Sequence, residues 1–216
     1  MSQQRWRLDG QLALVTGGSA GIGRAIAREL LGFGARVLIA ARDGNGLDAV
    51  RIELEEEFPD GEVRTCVADV ADDEQRRELL DWVEDIGDGL NILVNNAGGN
   101  LTKAAIDYSE DEWRGIFEVN LFSAFELARS TYPLLTKHAA SCIVNVGSVS
   151  AITHVRSGAP YGMSKAAMHQ MTRNLAVEWA EDGIRVNAVA PWYIRTRRTS
   201  TKLTDPDYLD EVLLRY

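Results

Sequence analysis

Cysteine, histidine and long apolar runs are what this chain has least of. Cys66 and Cys142 are its only cysteines, and each falls in a short apolar stretch that reads as a strand. Two such thiols form no disulfide framework, so a reducing compartment and chemically inert core thiols are expected. No metal site is expected. No apolar run approaches the length that spans a bilayer, and residues 1–7 lack the apolar core of a signal peptide. A cytoplasmic location is the simplest expectation. Positive charge is also short: 23 basic side chains face 32 acidic ones, a net charge of −9. That balance argues against nucleic acid or an anionic membrane as partner. A phosphorylated small molecule stays open, because it needs only a few local donors.

What is present is an ordered alternation. Short apolar runs at 12–15, 37–40, 63–68, 92–94, 143–146 and 184–190 are separated by helix-like stretches at 22–31, 47–58, 72–86, 110–138 and 161–181. Most of the runs are continuously apolar, as parallel strands buried on both faces require. Strand–helix alternation of this kind predicts an α/β fold, a doubly wound parallel sheet with helices on both faces. Without linker-like composition or repeats, residues 1–216 read as a single domain. Near the end, Thr204-Asp205-Pro206 reads as a cap and first-turn proline. The helix it opens places Leu209, Val212 and Leu213 on one face. The chain then stops at Tyr216 without a further strand, so the domain is expected to be incomplete at that end.

The first strand runs into Thr16-Gly17-Gly18-Ser19-Ala20-Gly21-Ile22-Gly23, which opens a helix. Glycines let backbone amides approach a pyrophosphate, and the helix N-terminus adds donors and a positive dipole end. Gly17, Ser19, Gly21, Ile22 and Gly23 are therefore expected to bind a dinucleotide. At the end of the second strand, position 41 is Ala where a ribose-binding carboxylate would stand, and Arg42 follows. An arginine there suits a 2′-phosphate, which favours NADP(H) over NAD(H). Asp43 is close enough to compete for Arg42, and a solvated strand-end charge is the alternative account. Asp69, followed by Val70, ends the third strand and could accept from an adenine amino group or cap the following helix. Asn96, Ala97 and Gly98 lie at the ligand-binding edge of the fourth strand.

Ser148 follows the fifth strand on the same edge, and Tyr161 and Lys165 share a helix face four residues apart. A phenol ordinarily titrates near 10, too high for a proton shuttle at neutral pH, and a neighbouring ammonium favours the phenolate. The trio suggests carbonyl reduction, with Ser148 holding the carbonyl oxygen, Tyr161 giving the proton and Lys165 also reaching the nicotinamide ribose. Taken alone, the pair would read as a packing tyrosine and a surface lysine.

These motifs together resemble the short-chain dehydrogenase/reductase family, a Rossmann fold. The chain is most similar to the tropinone-reductase-like branch, through Arg5-Trp6-Arg7-Leu8-Asp9-Gly10, the Thr16 to Gly23 turn, Asn91-Ile92-Leu93-Val94-Asn95-Asn96-Ala97-Gly98, Glu178-Trp179-Ala180 and Ile184-Arg185-Val186-Asn187. The resemblance implies a catalytic tetrad of Asn120, Ser148, Tyr161 and Lys165, with Asn120 supporting a proton-relay water. It places Pro191, Ile194 and Thr196 around the nicotinamide. It also implies a homodimer or homotetramer built on the two long helices. Two departures stand out. Trp192 replaces the family's usual glycine, either reshaping the pocket or packing on the segment C-terminal to it, and the family's last strand is absent from this chain.

The implied activity is hydride transfer between NADP(H) and a ketone or secondary alcohol. A dinucleotide-binding sensor or scaffold without turnover is the alternative. A cofactor-free lyase or dehalogenase on the same fold would leave the glycine turn, Arg42 and Lys165 without a use. The substrate pocket is expected to draw on 99–106, 150–160 and 193–214. Within it, His154 and Arg156 either meet an acidic substrate or stand as solvated loop charges.

Overall fold

The computed structural model describes residues 6–200 and 202–214, so Arg5 and Tyr216 lie outside it. Six parallel strands form one sheet: β1 Leu12–Thr16, β2 Arg36–Ala41, β3 Val63–Val67, β4 Ile92–Asn95, β5 Ser141–Val146 and β6 Ile184–Val189. Their order is β3-β2-β1-β4-β5-β6. Each lies within two residues of an apolar run seen in the sequence. The sheet grows one way from β1 and the other way from β4, which opens a crevice beyond their carboxyl ends.

Helices α1 (Gly21–Gly32) and α2 (Gly44–Glu57) cover one face; α3 (Asp73–Ile86), α5 (Ser123–Leu135) and α6 (Ala159–Glu178) cover the other. Alternate residues of β1 and β2 divide between these layers. Ala13, Val15, Val37 and Ile39 meet Ala27, Leu31, Leu47 and Leu54, whereas Leu12, Leu14 and Leu38 join Leu79, Leu127 and Leu175. Burial on both faces is the reason these strands show no polar alternation. The edge strand β6 does alternate. Ile184 and Val186 are buried while Arg185 and Asn187 are exposed, so polar side chains interrupt its apolar run.

The stretch expected as one helix over 110–138 is divided. α4 (Glu110–Phe117) starts at a Ser109–Glu112 capping box, a π-helical turn occupies Glu118–Phe122, and α5 ends at Leu135. Residues 197–200 form the single turn α7. α8 (Pro206–Leu213) is capped by Asp205, which accepts from the amides of Asp207 and Tyr208 at 3.0 and 3.3 Å. Its buried face is narrower than expected, because Val212 is covered and Leu213 is 57% exposed. Cys66 and Cys142 lie on separate strands and are half-buried rather than fully buried. Burial raises both thiols above their ordinary range, which keeps them protonated and unreactive. Among the described residues, no helix is long and apolar enough to cross a membrane.

Candidate active site

The crevice at the β1/β4 switch point is a cavity of about 600 Å³. Along one side runs the glycine turn. Gly17 adopts φ +65°, and a Cβ there would stand 2.8 Å from the Ala97 Cα, so only glycine lets the turn lie against the end of β4. Asn96 fastens the two together, its side-chain amide donating to the carbonyls of Thr16 and Gly17 at 2.9 and 3.0 Å. α1 begins at Ala20 with no side-chain cap. Its first amides and its positive dipole end are therefore left for an anion, and the cradle fits a dinucleotide pyrophosphate.

At the far rim, the Arg42 guanidinium is 71% exposed and pairs with Asp69 at 3.4 Å. The expected competitor, Asp43, is used elsewhere: it caps α2 by accepting from the Gly46 amide at 3.1 Å. Asp69 does not cap α3 either. That cap is Asp72, which accepts from Glu74 and Gln75 at 3.0 and 2.9 Å, while Asp69 accepts from Ala71 at 2.9 Å.

Ser148, Tyr161 and Lys165 line the opposite end of the same cavity. Lys165 is buried, and its ammonium donates to the Val146 carbonyl at 2.8 Å, which ties α6 to the end of β5. The Ser148 hydroxyl oxygen accepts from both the amide and the hydroxyl of Ser150, at 3.1 and 2.9 Å. With both lone pairs engaged, its O–H is left to donate outward. Ser150 was not singled out in the sequence, although a serine two residues downstream is a recognisable turn-closing pattern.

Of the expected site residues, only Gly23 and Asn120 do not line this cavity. Gly23 is a packing glycine, where a Cβ would strike the Asn96 amide and the Gly17 carbonyl. Asn120 is fully buried in the π-helical turn. Its Oδ1 accepts from the Gly99 amide at 2.8 Å, and its Nδ2 donates to the Gly99 carbonyl at 2.9 Å and the Ser164 hydroxyl at 3.2 Å. The side chain thus clamps the β4 loop to α6.

One further residue escaped the sequence reading. His169 lies one turn beyond Lys165 and packs against Gly147, its Nε2 buried without a hydrogen-bond partner. Burial, then the charges of Arg173 and Lys165, lower its pKa and favour the neutral ring. Trp192 stands where the family's usual glycine would. It lines the cavity, and it packs edge-on against Tyr193, which packs in turn on Tyr208 of α8.

This fold, with its glycine turn and its serine, tyrosine and lysine on one crevice, defines a doubly wound oxidoreductase. The chain belongs to the short chain dehydrogenase family, which it matches over residues 11–207. It falls in the tropinone-reductase-like branch: a tropinone reductase homolog of Arabidopsis thaliana is 42% identical over 99% of this chain and 81% of its own length. Among solved structures, a gluconate 5-dehydrogenase from Burkholderia cenocepacia in complex with NADP and tartrate is 31% identical. It has a TM-score of 0.88, over 97% of this chain and 82% of that one. L-Sorbose reductase from Gluconobacter frateurii, complexed with NADPH and L-sorbose, is 28% identical with a TM-score of 0.88, over 95% of this chain and 80% of the other.

Proposed function

We propose that the chain is an NADP(H)-dependent reductase or dehydrogenase acting on a ketone or secondary alcohol. The observation that carries this reading is the convergence of Ser148, Tyr161 and Lys165 with an uncapped helix N-terminus and glycine turn on one cavity. The bound nicotinamide supplies or accepts the hydride. In the reducing direction, Ser148 donates its hydroxyl hydrogen to the carbonyl oxygen and polarises it. As hydride adds to the carbonyl carbon, Tyr161 passes its phenolic proton to the oxygen, and solvent restores that proton. The Lys165 ammonium stabilises the phenolate formed in this step. Asn120 acts behind them as a positioning residue, holding Gly99 and Ser164.

The preference for NADP(H) is supported by Ala41, which offers no carboxylate to a ribose 2′-hydroxyl, and by Arg42 at the rim. NADP or NADPH in the two matched structures points the same way. Assembly as a homodimer or homotetramer through the long helices is supported by exposed Phe122, Phe125 and Val177 on the π-helical turn, α5 and α6. NADPH oxidation by the purified chain across a panel of small ketones tests the activity. Saturable NADPH binding with no oxidation of any of them would favour the sensor or scaffold instead.

A further inference from the structure

The catalytic cavity is bounded on one side by the segment that leaves β4. Gly98 lines that cavity, and the chain then runs out through Leu101 and Lys103. A 3₁₀ turn at Ala105–Asp107 brings it back to Tyr108. An excursion of this kind has no ladder hydrogen bonds of its own, so side chains must hold it in place. Asn120 holds its root at Gly99. The Tyr108 hydroxyl is a second clamp, further out.

That hydroxyl bonds in both directions. It accepts from the Lys103 amide at 3.1 Å and donates to the Leu101 carbonyl at 2.5 Å. One phenol thus closes the outgoing limb of the loop onto its return. Lys103 is fixed a second time, because its ammonium pairs with Glu112. The other carboxylate oxygen of Glu112 accepts from the Ser109 amide at 2.9 Å, which ties the loop to the first turn of α4.

The same hydroxyl also meets α6. A Cβ on Gly158 would strike the Tyr108 oxygen and stand 3.3 Å from the Leu101 carbonyl. Gly158 adopts φ +85° as well, so glycine is required there on both counts. α6 starts from Gly158, and Tyr161 follows three residues later. Tyr108 therefore sets the loop against the helix end that carries the proposed proton donor. Ser148 and Lys165 have their own anchors, in Ser150 and the Val146 carbonyl.

We propose that Tyr108 is a positioning residue for substrate binding, its hydroxyl fixing the 99–103 loop as one wall of the substrate site beside Tyr161. The proposal rests on the oxidoreductase reading above. Because other elements hold the cofactor cradle and the reacting groups, a loosened wall costs substrate affinity and spares the chemistry.

Tyr108→Phe keeps the ring and removes only the hydroxyl. The variant and the unaltered chain are compared by amide hydrogen exchange, followed by NMR, and by steady-state reduction of a ketone with NADPH. Exchange at the Lys103 amide is expected to accelerate about tenfold, the loss of one hydrogen bond. KM for the ketone is expected to rise about fivefold, with kcat and NADPH affinity unchanged within about twofold. Unchanged exchange at Lys103 would overturn the proposal, because the clamp would not be in place. An unchanged KM, or a fall in kcat at constant KM, would also overturn it and leave the oxidoreductase reading standing. Accelerated exchange at Lys103, with no ketone turned over by either protein, would support the clamp and count against the oxidoreductase reading.

Discussion

Arg42 stands at the cavity rim with its guanidinium exposed and only a 3.4 Å pairing to Asp69. A 2′-phosphate would offer it a better partner than that carboxylate does. Arg42→Ala is expected to weaken NADPH binding about tenfold and to leave NADH binding nearly unchanged, the loss expected for one charge-assisted contact. Equal losses for both cofactors in a fluorescence titration would remove Arg42 from the phosphate site. In the proposed reaction, Ser150 would act through Ser148. Ser150→Ala removes one of the two donors that keep the Ser148 oxygen occupied. A fall in kcat of about tenfold, with KM little changed, is expected from a weakened polarising hydrogen bond. If KM rises and kcat holds, Ser150 serves substrate binding alone.

The elements that build the site differ in how plainly the sequence announces them. The central strands were legible because burial on both faces leaves an unbroken apolar run, and the glycine turn because its backbone needs glycine at Gly17. The π-helical turn at Glu118–Phe122 was not, since nothing in Glu118-Val119-Asn120 departs from ordinary helical composition. Asn120 was found through the family resemblance, and its clamp on Gly99 is a tertiary contact that no local pattern encodes. His169 on α6 was hidden for the same reason: a histidine at helical spacing does not reveal that its Nε2 is buried against Gly147. Burial and the neighbouring cations hold its folded-state pKa below the ordinary value. The unfolded chain thus takes up a proton, below about pH 6.5, that the folded chain resists. The stability associated with the neutral ring is present above that pH and is lost as pH falls through the folded-state pKa. His169→Asn is expected to flatten the fall in melting temperature between about pH 7 and about pH 5. An unchanged slope would mean that other groups set it.

Across the molecule, the sheet positions the chemistry and the long helices leave apolar surface to cover. Phe122, Phe125 and Val177 are 46%, 39% and 80% exposed. Light scattering on the purified chain is expected to report a dimer or tetramer, and Phe125→Arg is expected to shift it towards monomer by putting a charge into the contact. A monomer in the unaltered chain would contradict that assembly. The proposed reaction rests on one proton moving from Tyr161 as hydride arrives. Its most direct test compares the unaltered chain with Tyr161→Phe, using NADPH deuterated at the transferring position and a ketone turned over by the unaltered chain. Deuterium is expected at the alcohol carbon with the unaltered chain. With Tyr161→Phe no turnover is expected, while NADPH affinity stays within about threefold. Deuterium transfer at a comparable rate by the phenylalanine variant would contradict the role given to Tyr161.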